Sequence, residues 1–234
     1  MIFDTRPLRT IRSFVRRESR MTASQKHALK ELWPRYGVGL GARPLDFDAI
    51  FGRQAPVILE IGFGNGDALQ ASAMANPQNN YLGIEVHRPG IGTLLRNLEA
   101  SGIGNVRVMH ADAAEVLKTT IPDDSLAAVR LFFPDPWPKK RHHKRRLVQS
   151  EFAELVRRKL KLGGYFHLAT DWEEYAVHMR TVLSQTPGFV EVTGQERFAS
   201  LSHGRSPTKF ELRGRRLGHG VQDLVFERLS GQGF

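Results

Sequence analysis

The 234-residue sequence contains no cysteine. That excludes a disulfide framework, a cysteine-ligated zinc site and a thiol nucleophile, and it suits a reducing compartment. Nowhere does an apolar run approach the roughly 20 residues that a membrane span needs. The start carries Asp4, Arg6, Arg9 and Arg12 where a secretory leader would be apolar. A cytoplasmic chain with a basic arm and no membrane partner is therefore expected. The nine histidines show no ligand spacing such as H-E-x-x-H, so no metal is expected either. Internal repeats and low-complexity tracts are absent as well.

Acids are in the minority. Lys and Arg number 34 against 24 Asp and Glu, a net charge of +10. The excess falls in three clusters that barely mix signs: Arg6, Arg9, Arg12, Arg16, Arg17 and Arg20; Lys139 to Arg146; and Arg205, Lys209, Arg213, Arg215 and Arg216. Clustered cations of this kind capture polyanions, whereas a solvated face usually mixes signs. Otherwise the composition, 41% hydrophobic and 25% charged, is that of an ordinary globular chain.

From Pro56 onward, short apolar runs alternate with helical patterns. Strands are expected over 57–61, 81–86, 106–110, 126–133 and 165–169. Helices are expected over 67–75, 90–100, 113–118, 146–160 and 172–184, with Gly163-Gly164 closing the fourth as a C-cap. Such alternation predicts an α/β fold, a mostly parallel sheet covered on both faces. The end breaks the pattern: 189–192 and 221–228 read as strands with no helix between them, so they should pair antiparallel at one edge. Residues 1–46 have no place in this sheet and read as a basic N-terminal arm, partly ordered, ahead of a domain over 47–234.

Four strand ends carry chemistry. Glu60-Ile61-Gly62-Phe63-Gly64-Asn65-Gly66 follows a strand and precedes a helix, where glycines let backbone approach a ligand. The spacing is G-x-G-x-G, not the G-x-G-x-x-G of pyrophosphate binding. Glu60 before it would repel phosphates but can hold the ammonium of a methionyl group, which favours S-adenosylmethionine over NAD. Glu85 ends the second strand, where a carboxylate can accept both ribose hydroxyls of either ligand. Asp112 could accept from an adenine amino group, cap the helix that follows, or do both. Phe132-Phe133-Pro134-Asp135-Pro136-Trp137-Pro138 ends the fourth strand. It offers a rigid backbone, a carboxylate and a ring on which a base can stack, beyond the strand ends where open α/β sheets bind ligands.

Together with Gly83-Ile84-Glu85-Val86-His87, Thr170-Asp171-Trp172, Thr208-Lys209-Phe210-Glu211 and Arg216-Leu217-Gly218-His219-Gly220-Val221, these motifs are similar to the bacterial tRNA (guanine-N7-)-methyltransferase family. The likeness runs from the arm to Glu227. It implies a class I, Rossmann-like methyltransferase fold, S-adenosyl-L-methionine as cofactor, and methylation of a guanine in the variable loop of tRNA. It also implies cofactor contacts at Glu60, Gly62, Gly64, Glu85, Asp112 and Asp135, with Asp135 in the active-site role. Lys139, Asp171, Thr208, Lys209, Phe210 and Glu211 match substrate-binding positions, and Arg141, His142, His143, Lys144, Arg145 and Arg146 an RNA-contacting stretch.

Guanine N7 has a free lone pair at neutral pH, so the enzyme's work would be alignment and stabilisation of the charge that develops on the base. Asp135 and Asp171 are the candidates for that charge, or for the guanine's N–H groups as in base-flipping sites. An NAD-dependent oxidoreductase is opposed by Glu60 and the glycine spacing. A decayed, non-catalytic RNA binder is opposed by the intact acid set, and a methyltransferase for proteins or small molecules by the basic clusters. Monomer and homodimer remain open.

Overall fold

The computed structural model describes residues 13–14, 20–41, 43–193, 211 and 220–230. Among these, β1 (Val57–Ile61), β2 (Asn80–Glu85), β3 (Val106–His110), β4 (Leu126–Phe132), β5 (Leu160–Thr170), β6 (Phe189–Glu191) and β7 (Gln222–Arg228) form one sheet in the order β3-β2-β1-β4-β5-β7-β6. The first five strands are parallel; β7 pairs antiparallel with both β5 and β6. The antiparallel pairing expected of the last two strands at one edge is present. Every residue of β1 and β2 is buried, as central parallel strands covered on both faces require.

Helices α1 (Ala23–Tyr36), α3 (Asp67–Ala75) and α4 (Arg88–Ala100) cover one face, with Ile58, Tyr81 and Ala128 beneath them. The short α2 (Phe47–Phe51) leads into β1. Helices α5 (Ala113–Thr119), α6 (Ser150–Lys159) and α7 (Glu173–Ser184) cover the other face over Leu59, Ile61, Val129 and Phe166. Side chains alternate along each strand, so neighbouring positions serve opposite cores. The parallel strands all deliver their carboxyl ends to one edge, and the motif residues sit there.

Two elements differ from the sequence expectation. The helix expected over 146–160 starts only at Ser150, because residues 140–145 wind into a 3-10 turn and Arg146 is extended. Nor do Gly163 and Gly164 cap it: α6 passes through Leu160 directly into β5. The glycines lie where the β4–β5 register slips between Leu126 and Ala128. Gly163 is left-handed at φ +77°, and a Cβ on Gly164 would come within 2.9–3.2 Å of the carbonyls of Lys161, Ala127 and Leu126. This is the bulge role of strand glycine.

The second half of the expected arm is integrated. Thr22 caps α1 through a reciprocal capping box with Gln25. Tyr36 is fully buried, with its hydroxyl on Glu99 of α4 at 2.9 Å. Val38 then donates to the Val108 carbonyl at 2.8 Å, lying beside the edge strand β3. Arg6, Arg9, Arg12, Arg16 and Arg17 of the arm lie outside the described residues, as do Arg205, Thr208, Lys209, Phe210, Arg213, Arg215 and Arg216.

Candidate active site

The glycine turn leaves β1 with Gly62 and Gly64 at φ +71° and +59°, left-handed conformations that L side chains rarely adopt. It is tied to the next strand by the Gly62 amide, which donates to the Ile84 carbonyl at 2.8 Å. The Gly64 amide donates to Glu85 Oε2, also at 2.8 Å. Above the turn opens a cleft of about 690 Å³, within the range of cofactor sites. Gly62, Gly64, Glu85, Asp112 and Asp135 all line it, together with the apolar ends of β1 and β4. Of the residues expected to contact a cofactor, these five line one cleft and Glu60 does not, with Asp135 on the turn beyond β4.

Glu85 has less capacity than expected. Its Oε1 accepts from the amides of Val86 and His87, at 2.6 and 2.9 Å, and its Oε2 already holds Gly64. A carboxylate has about four acceptor positions, so one remains, at Oε2. That suffices for one ribose hydroxyl, not both. Asp112 caps α5 through Oδ1, which accepts from Ala114 at 2.9 Å, and lines the cleft as well.

Glu60 stands apart from these five. Strand alternation sends it to the α3 side, the face opposite Leu59 and Ile61, and it does not line the cleft. It is 3% exposed, stands opposite Arg130 in the β1–β4 register, and its Oε2 has no hydrogen-bond partner among the described residues. Burial pushes its carboxyl up to about 7, with the Arg130 charge opposing. The motif spacing located it along the strand but not the face it serves.

Asp135 follows a tight turn. Phe133 and Trp137 both have positive φ, +52° and +46°, a conformation costing a non-glycine residue about 1–2 kcal/mol. Pro134, Pro136 and Pro138 bring no backbone N–H, so the turn is fixed from outside. The Phe133 amide donates to the Ala169 carbonyl at 2.7 Å, and Trp137 Nε1 to the Ser13 carbonyl at 3.1 Å. Through Ala169 the turn abuts the end of β5, beyond which Asp171 lies exposed. Lys139 is exposed at the start of the 3-10 turn, and Glu211 is fully buried.

The basic run divides. Lys140, Arg141 and Lys144 are exposed. Arg145 lies over the Trp137 ring, 3.8 Å from its centroid, so one face of the ring expected to stack a base already carries a guanidinium. His142 meets that ring edge-on at 5.9 Å, and desolvation followed by the surrounding cations holds it below the usual imidazole value. Arg146 differs from its neighbours in the run: its side chain is 2% exposed. His143 is engaged with it, Nε2 to the Arg146 guanidinium at 3.1 Å.

Sequence reasoning missed the near wall of the cleft. Ser13, Phe14 and Met21 line it, although the arm drew attention only by its arginines. Its apolar residues carry no periodicity that would have marked them. Among the described residues no group of three or more His, Asp or Glu is placed to hold a metal, and no helix is long and apolar enough to cross a membrane.

Comparison with known proteins agrees with this architecture. Among solved structures, 16S rRNA methyltransferase KamB superposes with a TM-score of 0.55 at 16% identity, over 82% of this chain and 98% of that one. An rRNA methylase from Streptococcus thermophilus gives 0.51 at 14%, over 75% and 88%. At such identities the likeness concerns fold alone, and the fold is that of a Rossmann-like methyltransferase. A family profile described as "Putative methyltransferase" matches residues 54–224. The tRNA (guanine-N(7)-)-methyltransferase of Klebsiella pneumoniae is 59% identical over 225 residues, 96% of this chain and 94% of that protein. Those of Nitrosococcus oceani and Pseudomonas aeruginosa are 58% and 55% identical, over 94% and 97% of this chain and 92% and 93% of theirs. With identity above half across nearly the whole length, on a fold whose strand ends gather a glycine turn and three acids around one cleft, the chain belongs to the tRNA (guanine-N7-)-methyltransferase family.

Proposed function

We propose that Asp135 is the active-site acid in the S-adenosylmethionine-dependent methylation of guanine N7 in tRNA, the reaction of the family to which the chain belongs. The observation that carries this is its location: Asp135 lines the same cleft as the glycine turn, Glu85 and Asp112, on a turn fixed at both ends.

The residues of the cleft suit the cofactor. Its size is adequate, the left-handed glycines admit close approach, and Glu85 Oε2 keeps one acceptor position toward it. Glu85 would hold a ribose hydroxyl and Asp112 the adenine amino group, while Gly62 and Gly64 give the methionyl end access to backbone. When bound, the cofactor supplies an electrophilic methyl on a sulfonium, whose departure needs no acid. Guanine N7 brings its own lone pair, so no residue has to remove a proton from it.

What remains for the protein is alignment and charge. The base gains a positive charge as the N7–carbon bond forms, and the Asp135 carboxylate stabilises it from a fixed position. Asp171, on the neighbouring strand end, would hold the guanine's N–H edge, with Lys139 and the segment Thr208, Lys209, Phe210 and Glu211 completing the nucleotide's seat. Lys140, Arg141 and Lys144 would grip flanking phosphates without reading sequence. The setting is the cytoplasm, consistent with a chain without cysteine.

Asp135→Asn tests the assignment, since it keeps shape and removes charge. Single-turnover methylation of unmodified tRNA should fall roughly a hundred-fold, while calorimetric affinity for S-adenosylhomocysteine stays largely intact. Near-normal turnover would remove Asp135 from the chemistry.

A further inference from the structure

The side chain of Arg146 is enclosed where most of the basic run is not, and it lies outside every role given to that run. Its Nε donates to the Pro136 carbonyl at 2.9 Å, in the middle of the turn that carries Asp135. Its Nη2 reaches Glu174 Oε1 of α7 at 3.2 Å and His143 Nε2 at 3.1 Å. The guanidinium carbon stands 5.0 Å from the ring centroid of Tyr175, the next residue of α7. Tyr175 is fully buried, its hydroxyl accepting from the Val148 amide at 3.3 Å. One planar group thus joins three parts of the chain: the proline turn, the 3-10 turn and the first turn of α7.

We propose that Arg146 is a positioning residue for methyl transfer, a brace that holds the turn bearing Asp135 against the start of α7, next to Asp171. The proposal rests on the reading of Asp135 as the active-site acid. Its physical ground is the poverty of the turn in donors. With three prolines and two left-handed non-glycine residues, the segment depends on groups outside it to hold its shape. The Phe133 amide secures its beginning and the Trp137 indole its end. Arg146 secures the middle, one residue from Asp135. Because the same guanidinium is anchored on α7, the brace sets the spacing between the Asp135 turn and the Asp171 strand end. An error of about an ångström there is enough to cost orders of magnitude in an alignment-limited reaction.

Arg146→Lys is the test. An ammonium keeps the charge opposite Glu174 but cannot donate to Pro136 and lie on Tyr175 as a planar fork does. At saturating tRNA and cofactor, kcat should fall about ten-fold or more. The dissociation constant for tRNA, the slope of its salt dependence and the affinity for S-adenosylhomocysteine should stay within about two-fold, since no group that touches a ligand is removed. Unchanged kcat overturns the brace. So does weaker tRNA binding with the salt slope reduced by roughly 0.7–0.9, which would make Arg146 a phosphate-binding residue. If Arg146→Lys does not fold, Glu174→Gln loosens the anchor while leaving Arg146 in place. A drop in kcat with unchanged tRNA affinity supports the brace, and full kcat overturns it. Asp135→Asn assayed alongside separates the two readings. Full activity in it removes the acid from the site and the brace's purpose with it. Inactivity in it beside a fully active Arg146→Lys defeats the brace alone.

Discussion

At Glu60 a carboxyl is enclosed on the α3 side of the sheet, one residue before the glycine turn, with Arg130 opposite and Oε2 unsatisfied among the described residues. Burial of this kind disfavours the charged form, and its carboxyl is raised from the ordinary 4.5 to about 7. Between those values the folded chain binds a proton that the unfolded chain has lost, so stability falls as pH rises from about 4.5 and levels off above about 7. The full gap corresponds to about 3 kcal/mol. Glu60→Gln should therefore be the more stable protein at pH 8, by up to about that amount, with the difference vanishing near pH 4.5. Urea titrations at several pH values measure it; a constant difference across the range would show that the Glu60 carboxyl titrates alike in the folded and unfolded chain. Glu85, Asp112 and Asp135 were legible as cleft residues because each ends a strand or starts the loop beyond it, where direction matters little. Glu60 and Arg146 were not, because their roles depend on which face a strand turns inward and on a contact between segments far apart in sequence.

At the level of elements, hydrophobic periodicity located the seven strands and α3 to α7, since each buries an apolar stripe or run with its own period. It failed where tertiary contacts override local pattern. Residues 146–149 fall in the helix expected over 146–160 but stay outside it, since Arg146 and the Tyr175 hydroxyl hold that stretch from α7. Helix α1 was read as arm because no strand precedes it, although it is an integral layer. Its seat on α4 depends on a close approach at Gly92: a Cβ there would stand 2.7 Å from the Gln25 carbonyl, which is backbone and cannot swing aside. Gly92→Ala should push α1 outward and cost about 1–3 kcal/mol, the usual penalty of overpacking. Hydrogen exchange should then show faster exchange in α1 while β1 and β4 keep their protection. Met21, just ahead of α1, and Phe14 line the cleft, so cofactor affinity should fall as well if the cofactor binds there as proposed. A variant with unchanged α1 exchange would mean that the helix does not rest on α4 in solution.

For the whole molecule the governing quantity is the charge of +10 and its distribution. A field of this sign draws tRNA in before any contact is specific, and the run after the proline turn places cations beside the turn that carries Asp135. The structure narrows which of them are available. Arg146 is enclosed, Arg145 lies on Trp137 and His142 is held toward neutrality; besides Lys139, assigned to the nucleotide's seat, Lys140, Arg141 and Lys144 are exposed. Replacing these three with Gln should weaken tRNA binding and reduce the slope of log affinity against log salt. The reduction should be roughly 0.7–0.9 for each phosphate no longer neutralised, about two to three if all three side chains engage. Affinity for S-adenosylhomocysteine should not change, because that ligand presents no phosphate, and kcat at saturating tRNA should be largely kept because the turn and its brace are intact. The contrast with Arg146→Lys, which should lose kcat and keep the slope, makes the pair more decisive than either alone. The alternative is that the exposed cations only keep the protein in solution. Titrations at several salt concentrations decide between them: unchanged slope and affinity in the triple variant would leave the tRNA footprint to the arginines of the first twenty residues and to the cluster from Arg205 to Arg216.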